Sequence, residues 1–339
     1  MLNISTQIEE LSAASLPDME QLQQQAKPVI IRELVADWPL VAAARQSEQA
    51  AADYLRRFSC QQPVQAFFAD ATANGRFFYN DTLDGFNFSQ QQTTLEQVLE
   101  HILQLLHSAD TVPAPTFYMG STTLDYCVPG LKAENPLPLA LNNPLISLWV
   151  GNKTKVVAHY DVPDNIACVA AGKRRFTLFP PSQTANLYPG PLEFTPAGQP
   201  VSMVNFEQPD LQRYPHFADA LEQAQVAELQ AGDAIFIPSM WWHAVDGLSP
   251  LNILINYWWR QSPSYMGLPA DALFHAILSV RDLPVAQRKV WQQLFEHYVF
   301  NADESTAAHL PPDKRGMLGD MTGLNARRIR ALLLQKLNR

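Results

Sequence analysis

The sequence has little cysteine, and this bounds the kinds of site it can build. Only 3 cysteines occur among 339 residues, and they are widely separated along the chain, at Cys60, Cys127 and Cys168. That number and spacing do not make a disulfide framework. Small buried hydrophobic side chains are the simpler interpretation of all three. The lack of thiolate pairs also argues against a closed structural zinc site.

Long apolar runs and positive charge are lacking as well. No stretch approaches roughly 18 uninterrupted apolar residues, so we expect no membrane span. The segment Met1–Ser5 has no basic region followed by an apolar run, so we expect no secretory signal and a cytoplasmic location. The net charge of −9 argues against a general nucleic-acid binder, because phosphate binding relies on a positive field, although a local basic groove stays compatible.

Short apolar stretches with period-2 alternation fill the middle of the chain and are separated by turn residues. This pattern is typical of an all-β barrel or jelly roll. The predicted strands lie around residues 147–151, 156–161, 165–171, 175–179, 234–237 and 251–259. A proline-containing insertion is predicted at residues 182–230, with a short helix near residues 217–223.

Helical periodicity appears on both sides of this region. Before it, residues 48–58 and Thr94 to His107 have apolar side chains at helical spacing, with strands expected between them. After it, helices are predicted at residues 270–280, 285–300 and 326–337. We therefore predict a mainly β fold with added helices. It has an N-terminal segment at 1–114, a β core at 115–262 and a C-terminal helical segment at 263–339.

The triplet His159-Tyr160-Asp161, with His243 far along the chain, predicts a metal centre. Alternate side chains of a β-strand share a face, so His159 and Asp161 point the same way. Two imidazoles and one carboxylate form a facial ligand set that binds Fe(II) and leaves other positions open. An isolated His-x-Asp pair is common by chance. Its place in a strand pattern, with a second histidine beside another predicted strand, favours the metal centre.

The open positions of such an iron usually take a bidentate co-substrate, and 2-oxoglutarate is the commonest. Its far carboxylate needs a basic anchor, for which Arg174 is the candidate because it alternates with Phe176 and Leu178. An unpaired guanidinium on that apolar face would be costly, and its planar fork suits a carboxylate. Alternatively, the face with Lys173 and Arg175 points inward and Arg174 reaches water. Alternation alone leaves both arrangements open.

Several motifs together resemble those of the cupin-like JmjC proteins. They are His159-Tyr160-Asp161-x3-Asn165, the run Gly172 to Pro181, the run Gly232 to His243, and Asn256-Tyr257-Trp258. The match is specific over residues 115–262, and within the family it is similar to the asparaginyl hydroxylase that inhibits hypoxia-inducible factor. The resemblance implies a double-stranded β-helix core, which is a type of jelly roll. It also implies that the protein uses Fe(II), 2-oxoglutarate and O2.

Site residues follow from the resemblance position by position. It implies that the iron ligands are His159, Asp161 and His243. Arg174 falls where the family has its 2-oxoglutarate-binding lysine, and Tyr118 falls near a tyrosine that hydrogen-bonds the same carboxylate. Asn165 and Asn256 match polar residues near the iron and the co-substrate. Val156 replaces a threonine that contacts 2-oxoglutarate in the hydroxylase, so one expected hydrogen bond is missing.

The function expected from these residues is hydroxylation of a C–H bond, with release of succinate and CO2. A protein, peptide or small molecule is the expected substrate, and a nucleic acid is not. Three alternatives stay open: an N-methyl demethylase or an RNA-modifying oxygenase of the same fold, and a non-catalytic binding module that keeps the metal.

A homodimer through the C-terminal helices is also expected. Apolar residues line the last predicted helix, among them Leu332, Leu334 and Leu337. Two interpretations fit such a stripe. It packs against a second copy of the chain, as in the resembling hydroxylase, or against the barrel of its own chain.

Overall fold

The computed structural model of this protein describes residue 4 and residues 6–106 and 114–338. His107, at the end of one predicted helix, lies outside the described residues. The chain forms two compact units, residues 1–260 and residues 261–339, and each is described by itself. The three-part division predicted from the sequence stays a prediction.

The first unit is built mainly from β-strands. In chain order they are β1 (Glu9–Ser12), β2 (Val29–Arg32), β3 (Val64–Ala69), β4 (Arg76–Phe77), β5 (Ser89–Thr93), β6 (Thr116–Thr123), β7 (Leu145–Gly151), β8 (Lys155–Tyr160), β9 (Asp164–Ala171), β10 (Lys173–Phe179), β11 (Gln225–Gln230), β12 (Ala234–Ile237), β13 (Trp242–Gly247) and β14 (Asn252–Trp259). The predicted strands of the β core are all present, with ends shifted by a few residues.

These strands form two sheets within the described residues. The larger sheet has nine strands in the order β1-β2-β12-β9-β14-β7-β6-β3-β5, and the smaller has five in the order β11-β10-β13-β8-β4. Most neighbours are antiparallel, whereas β1 pairs with β2 and β4 pairs with β8 in parallel. Two facing, mostly antiparallel sheets make the jelly-roll core, and the predicted mainly β fold with added helices is confirmed.

Seven α-helices of the first unit lie within the described residues. They are α1 (Met19–Gln25), α2 (Pro39–Gln46), α3 (Glu48–Arg56), α4 (Leu95–Leu106), α5 (Leu124–Cys127), α6 (Leu131–Glu134) and α7 (Phe217–Glu222). Helix α3 begins after Ser47, whose hydroxyl accepts a hydrogen bond from the Ala50 N–H at 3.0 Å, a common N-cap arrangement. Helices α3, α4 and α7 match the predicted ones.

Strand β9 shows how one continuous apolar run serves two hydrophobic layers. Ile166, Cys168 and Ala170 pack with the helices on the outer face of the nine-stranded sheet. Ala167 and Val169 pack between the two sheets. Because both faces of the strand are covered, alternation of polar and apolar residues is absent from it. Each buried large aliphatic side chain in these layers contributes about 1.5–3 kcal/mol to stability.

The turn between β9 and β10 depends on Gly172. Its φ is +77°, and a Cβ at this position would lie 2.4 Å from the carbonyl oxygen of Leu251. Only glycine adopts this conformation without strain and also allows the close approach. The tight turn sets the start of β10, and so decides which of its residues face the space between the sheets.

The second unit is helical. It contains α8 (Pro269–Ser279), α9 (Val285–Phe295), which continues as a π-helix over Glu296–Phe300, and α10 (Gly323–Leu337). These are the three C-terminal helices predicted from the sequence. Among the described residues of this unit, Ala307 and Ala326 are the buried apolar ones, whereas many larger apolar side chains are exposed. The unit therefore presents much of its apolar surface outward.

A membrane span was not expected from the sequence. Across residues 6–106 and 114–338, every helix is too short or too polar to traverse a lipid bilayer. The cytoplasmic location stays a prediction.

Candidate metal centre

Strands β8 and β13 bring the two predicted histidine ligands side by side. His159 and His243 are paired residues in the antiparallel register of these strands, and their ring centroids lie 4.4 Å apart. Directly paired residues of neighbouring strands share one face of the sheet. Both imidazoles therefore project into the space between the two sheets.

Asp161 completes the group from one residue beyond the end of β8. Its Oδ2 lies 3.6 Å from Nε2 of His243, and the candidate ligand atoms of His159, Asp161 and His243 all lie within 4.8 Å of one another. The sequence predicted this convergence from strand alternation. Although Asp161 lies outside the strand, it keeps the direction that the alternation gives it.

The hydrogen bonds of each imidazole leave the same ring nitrogen free. Nδ1 of His159 lies 2.9 Å from the carbonyl oxygen of Val157, and Nδ1 of His243 lies 3.0 Å from that of Trp241. Because a carbonyl only accepts, each Nδ1 carries the hydrogen and donates it. Nε2 of both rings is then an unprotonated donor for a metal ion, with its orientation fixed by the backbone.

Burial keeps His243 uncharged. Its side chain is enclosed between the sheets, and burial, with a smaller effect of His159, lowers the pKa of His243 to about 4. A neutral imidazole at physiological pH is the form that binds a metal ion. No proton then has to leave His243 before it can act as a ligand.

The turn that leads into β13 is tied to the segment that carries Asp161. The N–H of Met240 donates to the carbonyl oxygen of Asp161 at 2.8 Å. The hydroxyl of Ser239 donates to the carbonyl oxygen of Val162 at 2.6 Å, and its N–H donates to Oδ1 of Asp164 at 2.9 Å. These three hydrogen bonds join two of the candidate ligands into one rigid arrangement. No pattern in the sequence predicts them.

Arg174 lies on the inner face of β10, which resolves the alternative left open by the sequence. Its side chain is 1% exposed, and its Nε and Nη2 are buried without a hydrogen-bond partner among the described residues. Lys173 is exposed, and Arg175 binds Glu228 on the opposite face of the strand. Burial lowers the pKa of Arg174, while the neighbouring Tyr118 acts in the other direction.

Tyr118 lies close enough to Arg174 for each to influence the other electrostatically. It is 8% exposed, and the electrostatic influence of both Arg174 and Asp161 reaches its hydroxyl. Burial raises the pKa of Tyr118, so the hydroxyl keeps its proton and acts as a hydrogen-bond donor. Val156, which stands where the hydroxylase has a threonine, packs beside Phe77 and Tyr118 in the same space.

The two predicted asparagines are joined to each other and to a tryptophan that the sequence reasoning did not single out. Nδ2 of Asn256 donates to Oδ1 of Asn165 at 3.3 Å, and Nε1 of Trp149 donates to Oδ1 of Asn256 at 2.7 Å. Trp149 alternates with the helix-facing Leu148 and Val150, and this alternation was the signal that it points inward. Their roles toward a co-substrate stay predictions.

Comparison with known proteins places the chain in a family. A model of the family described as "Cupin-like domain" matches residues 15–265. Lysine-specific demethylase JMJ31 of Arabidopsis thaliana is 36% identical over 118 residues, 34% of this chain and 21% of that protein. HSPB1-associated protein 1 of Homo sapiens is 30% identical over 129 residues, 38% of this chain and 26% of that protein.

A tRNA-modifying protein is also similar to this chain. The tRNA wybutosine-synthesizing protein 5 of Mus musculus is 33% identical over 124 residues, 37% of this chain and 34% of that protein. The matches thus span about a fifth to a third of the length of these relatives. They support the JmjC and cupin type of protein, whereas the finer similarity to the asparaginyl hydroxylase stays a prediction.

Proposed function

Since the chain belongs to the cupin-like domain family, we propose that it is an Fe(II)- and 2-oxoglutarate-dependent oxygenase. The observation that carries the proposal is the convergence of His159, Asp161 and His243 in the space that also holds the unpaired guanidinium of Arg174. The first three match the ligand set of Fe(II) oxygenases. The fourth supplies the charge that a dianionic co-substrate requires.

The donor atoms fit the metal. Two neutral imidazoles and one carboxylate suit a borderline divalent ion and cover one side of it. The buried nitrogen atoms of Arg174 fit the co-substrate, because a buried charged donor without a partner is costly. A carboxylate between Arg174 and Tyr118 would accept hydrogen bonds from both.

In the proposed mechanism each side chain has one task. When bound, Fe(II), 2-oxoglutarate and O2 supply the chemistry that inserts oxygen into a C–H bond, with release of succinate and CO2. Arg174 and Tyr118 hold the far carboxylate of 2-oxoglutarate. Asn256, held by its hydrogen bond from Trp149, presents a polar side chain to the space that the co-substrate would occupy. The apolar layer between the sheets keeps water away from the reacting atoms.

We propose a protein, peptide or small molecule as the substrate and hydroxylation as the reaction. The names of two relatives, a lysine-specific demethylase and a tRNA wybutosine-synthesizing protein, keep N-methyl demethylation and RNA modification as alternatives. The earlier expectation against a nucleic-acid substrate gains no support from these relatives. The net charge of −9 still favours the first group, since phosphate binding requires a positive field.

Succinate release from 2-oxoglutarate in the presence of Fe(II) and O2 tests the proposal. The natural chain is compared with His159→Ala and Asp161→Ala, and with His216→Ala as an exposed histidine outside the site. We expect turnover in the natural chain and in His216→Ala, and loss of turnover in the other two variants. Equal turnover in all four proteins would show that His159 and Asp161 are not needed for the reaction and would contradict the proposed metal centre. No turnover in any of them would favour a binding module.

The substrate class is tested by incubating the enzyme with pooled peptides, metabolites and tRNA, with and without 2-oxoglutarate. Hydroxylation adds about 16 mass units to the substrate, whereas N-demethylation removes about 14 and releases formaldehyde. A mass gain confined to the peptide or metabolite pools is expected. A change confined to tRNA would assign the RNA-modifying alternative instead.

We also propose that the chain forms a homodimer through its helical second unit. Exposed apolar side chains are concentrated there, including Leu278 at 76%, Phe300 at 72% and Leu334 at 62% exposure. Exposed apolar side chains in such number often mark an interaction site when they lie together. In a twofold-symmetric dimer, the same unit of a second copy would cover this surface.

A further inference from the structure

A second cavity lies on the opposite face of the strands that carry the candidate metal centre. It has a volume of about 570 Å³, and its lining includes Ala158, Arg175 and Ala244. These residues are sequence neighbours of His159, Arg174 and His243, and successive residues of a strand point to opposite faces. The cavity is therefore separate from the space between the sheets.

The floor of this cavity is a row of charged residues that crosses all five strands of the smaller sheet. The strand registers pair Arg76 with Lys155, Lys155 with Asp246, Asp246 with Arg175, and Arg175 with Glu228. Directly paired residues share a face of the sheet. All five side chains line the cavity, so the row presents three cations and two carboxylates to whatever occupies it.

Ion pairs already satisfy part of this row. Nζ of Lys155 lies 2.6 Å from Oε1 of Glu207, and Nη2 of Arg175 lies 2.5 Å from Oε1 of Glu228. Arg32, at the edge of the cavity, binds Glu10 and Asp233. Each of these cations and acids therefore has a partner of opposite charge.

Arg76 makes no such ion pair, although the carboxylate of Glu207 is near enough to act on it electrostatically. Its Nη2 is buried, and no hydrogen bond or ion pair joins its side chain to the rest of the described chain. The guanidinium lies 3.6 Å from the ring centroid of Phe78, which holds it in place through a cation–π contact. Burial lowers the pKa of Arg76 to about 10, so it is still charged at neutral pH. An acceptor group of a ligand in the cavity would offset the desolvation of this donor.

Asp246 is the acidic counterpart. It lies two strands from Arg76 in the row, roughly 10 Å along the hydrogen-bonding direction. Among the described residues, no side chain or backbone group donates a hydrogen bond to its carboxylate. Burial raises the pKa of Asp246, while Arg175 and Lys155 oppose this rise from either side. The carboxylate can accept a donor from a ligand in the cavity.

We propose that this cavity binds a small zwitterion of the α-amino acid type. Its carboxylate would pair with Arg76, its ammonium group with Asp246, and its apolar part would pack on Val204, Phe206 and Val226. A simple anion would cover Asp246 without giving it a hydrogen-bond donor. A simple cation would cover Arg76 without giving it an acceptor. The lining between them is balanced, with Lys155 and Arg175 paired to Glu207 and Glu228, so a ligand without net charge preserves the balance.

Equilibrium binding of the twenty L-amino acids, each titrated by calorimetry into the full chain, tests the proposal. We expect at least one with an apolar side chain to bind. For L-leucine, the matched probes are 4-methylpentanoate, which lacks the ammonium group, and 3-methylbutylamine, which lacks the carboxylate. Each should bind about tenfold more weakly or worse than the amino acid, because it loses one charged hydrogen-bonded pair.

Substitutions assign the site. Arg76→Gln and Asp246→Asn should each weaken the binding by about tenfold or more, Arg76→Lys should weaken it less, and Arg57→Gln, on the exposed surface, should leave it unchanged. His159→Ala should also leave it unchanged, since the two sites lie on opposite faces. Circular dichroism melting checks that each variant is folded.

Three results would overturn the proposal: no amino acid binds, the carboxylate probe binds as tightly as the amino acid, or the Arg76→Gln variant keeps full affinity. None of these depends on the iron chemistry, because the titrations are run with the metal chelated. The oxygenase proposal would stand in each case.

Discussion

Nε2 of His243 lies 3.6 Å from Oδ2 of Asp161, although the two side chains come from different parts of the first unit. Two ligand atoms that are each about 2.1 Å from a shared ion are at most about 4.2 Å apart. The spacing of this pair therefore allows both atoms to bind one ion without rearrangement.

Replacing Arg174 should weaken 2-oxoglutarate binding without disturbing the metal ligands. We expect Arg174→Gln to raise the KM for 2-oxoglutarate by about tenfold or more, and Arg174→Lys to raise it less because the charge remains. Arg175→Gln is the matched control, since Arg175 lies next along the strand but faces the other way. Succinate release at varied 2-oxoglutarate concentration measures the KM. An equal rise in the Arg174→Gln and Arg175→Gln variants would contradict the assignment.

The metal-free protein should become less stable as the pH is lowered, because His243 is buried in its neutral form. Its pKa is about 4 in the folded chain and about 6.5 when unfolded, so the unfolded state binds more protons between these values. The stabilisation is fully present above about pH 6.5 and is lost as the pH falls toward 4. From pH 7 to pH 5 the loss is about 2 kcal/mol.

Urea unfolding with a chelator present, at pH 7 and at pH 5, measures this loss. The His243→Gln variant has no titrating group at this position, so its stability should change less between the two pH values. Titrating groups distant from this position are common to both proteins and cancel in the comparison. An identical pH dependence of the two proteins would show that His243 is not held neutral.

Gly172→Ala should destabilise the fold more than the same change at Gly198. Both glycines have a similar φ, +77° and +78°, but a Cβ at Gly172 would lie 2.4 Å from the Leu251 carbonyl oxygen, whereas Gly198 has nothing within 4 Å. We expect about 1 kcal/mol of destabilisation for Gly198→Ala and about 3 kcal/mol or more for Gly172→Ala. Thermal melting of the two variants measures the difference, and equal melting temperatures would rule out the steric contribution.

Charge placed on the second unit should dissociate the proposed dimer. Leu278→Asp and Leu334→Asp introduce a carboxylate into the exposed apolar surface, and Leu83→Asp, at 42% exposure in the first unit, is the control. Burying an unpaired carboxylate is costly, so we expect the first two variants to be monomers and the control to stay a dimer. Light scattering after size-exclusion chromatography gives the mass. A natural chain that is already a monomer would end the dimer proposal.

Much of the fold could be predicted from the sequence, because its signals are local. Period-2 alternation located the strands of the β core, and helical spacing located α3, α4 and the C-terminal helices. The meeting of His159, Asp161 and His243 followed from alternation together with the jelly-roll expectation. These features need no knowledge of which strand pairs with which.

The inward face of β10 could not be predicted, because both of its faces carry an arginine. Pairing with β13, which places Arg174 beside Gly247 and Arg175 beside Asp246, decides between them. That register is set by residues distant in sequence.

A β-bulge is the second feature that sequence alternation misses. Between His243 and Val245 of β13 the partner in β8 shifts from His159 to Val156, so β8 carries one extra residue. The extra residue reverses the alternation, and Lys155 joins the outer row although two-residue counting from His159 would place it inside. The charged floor of the second cavity therefore becomes visible only in the structure.

The hydrogen bonds from Ser239 and Met240 to the segment at Asp161–Asp164 have a practical consequence for metal exchange. When a metal site is already ordered without its ion, the free energy of metal binding is not reduced by the cost of ordering the site. Removing the ion with a chelator should then leave the site intact, so that a metal ion can bind again reversibly. Which divalent ion it holds in a cell would depend on supply as much as on the protein.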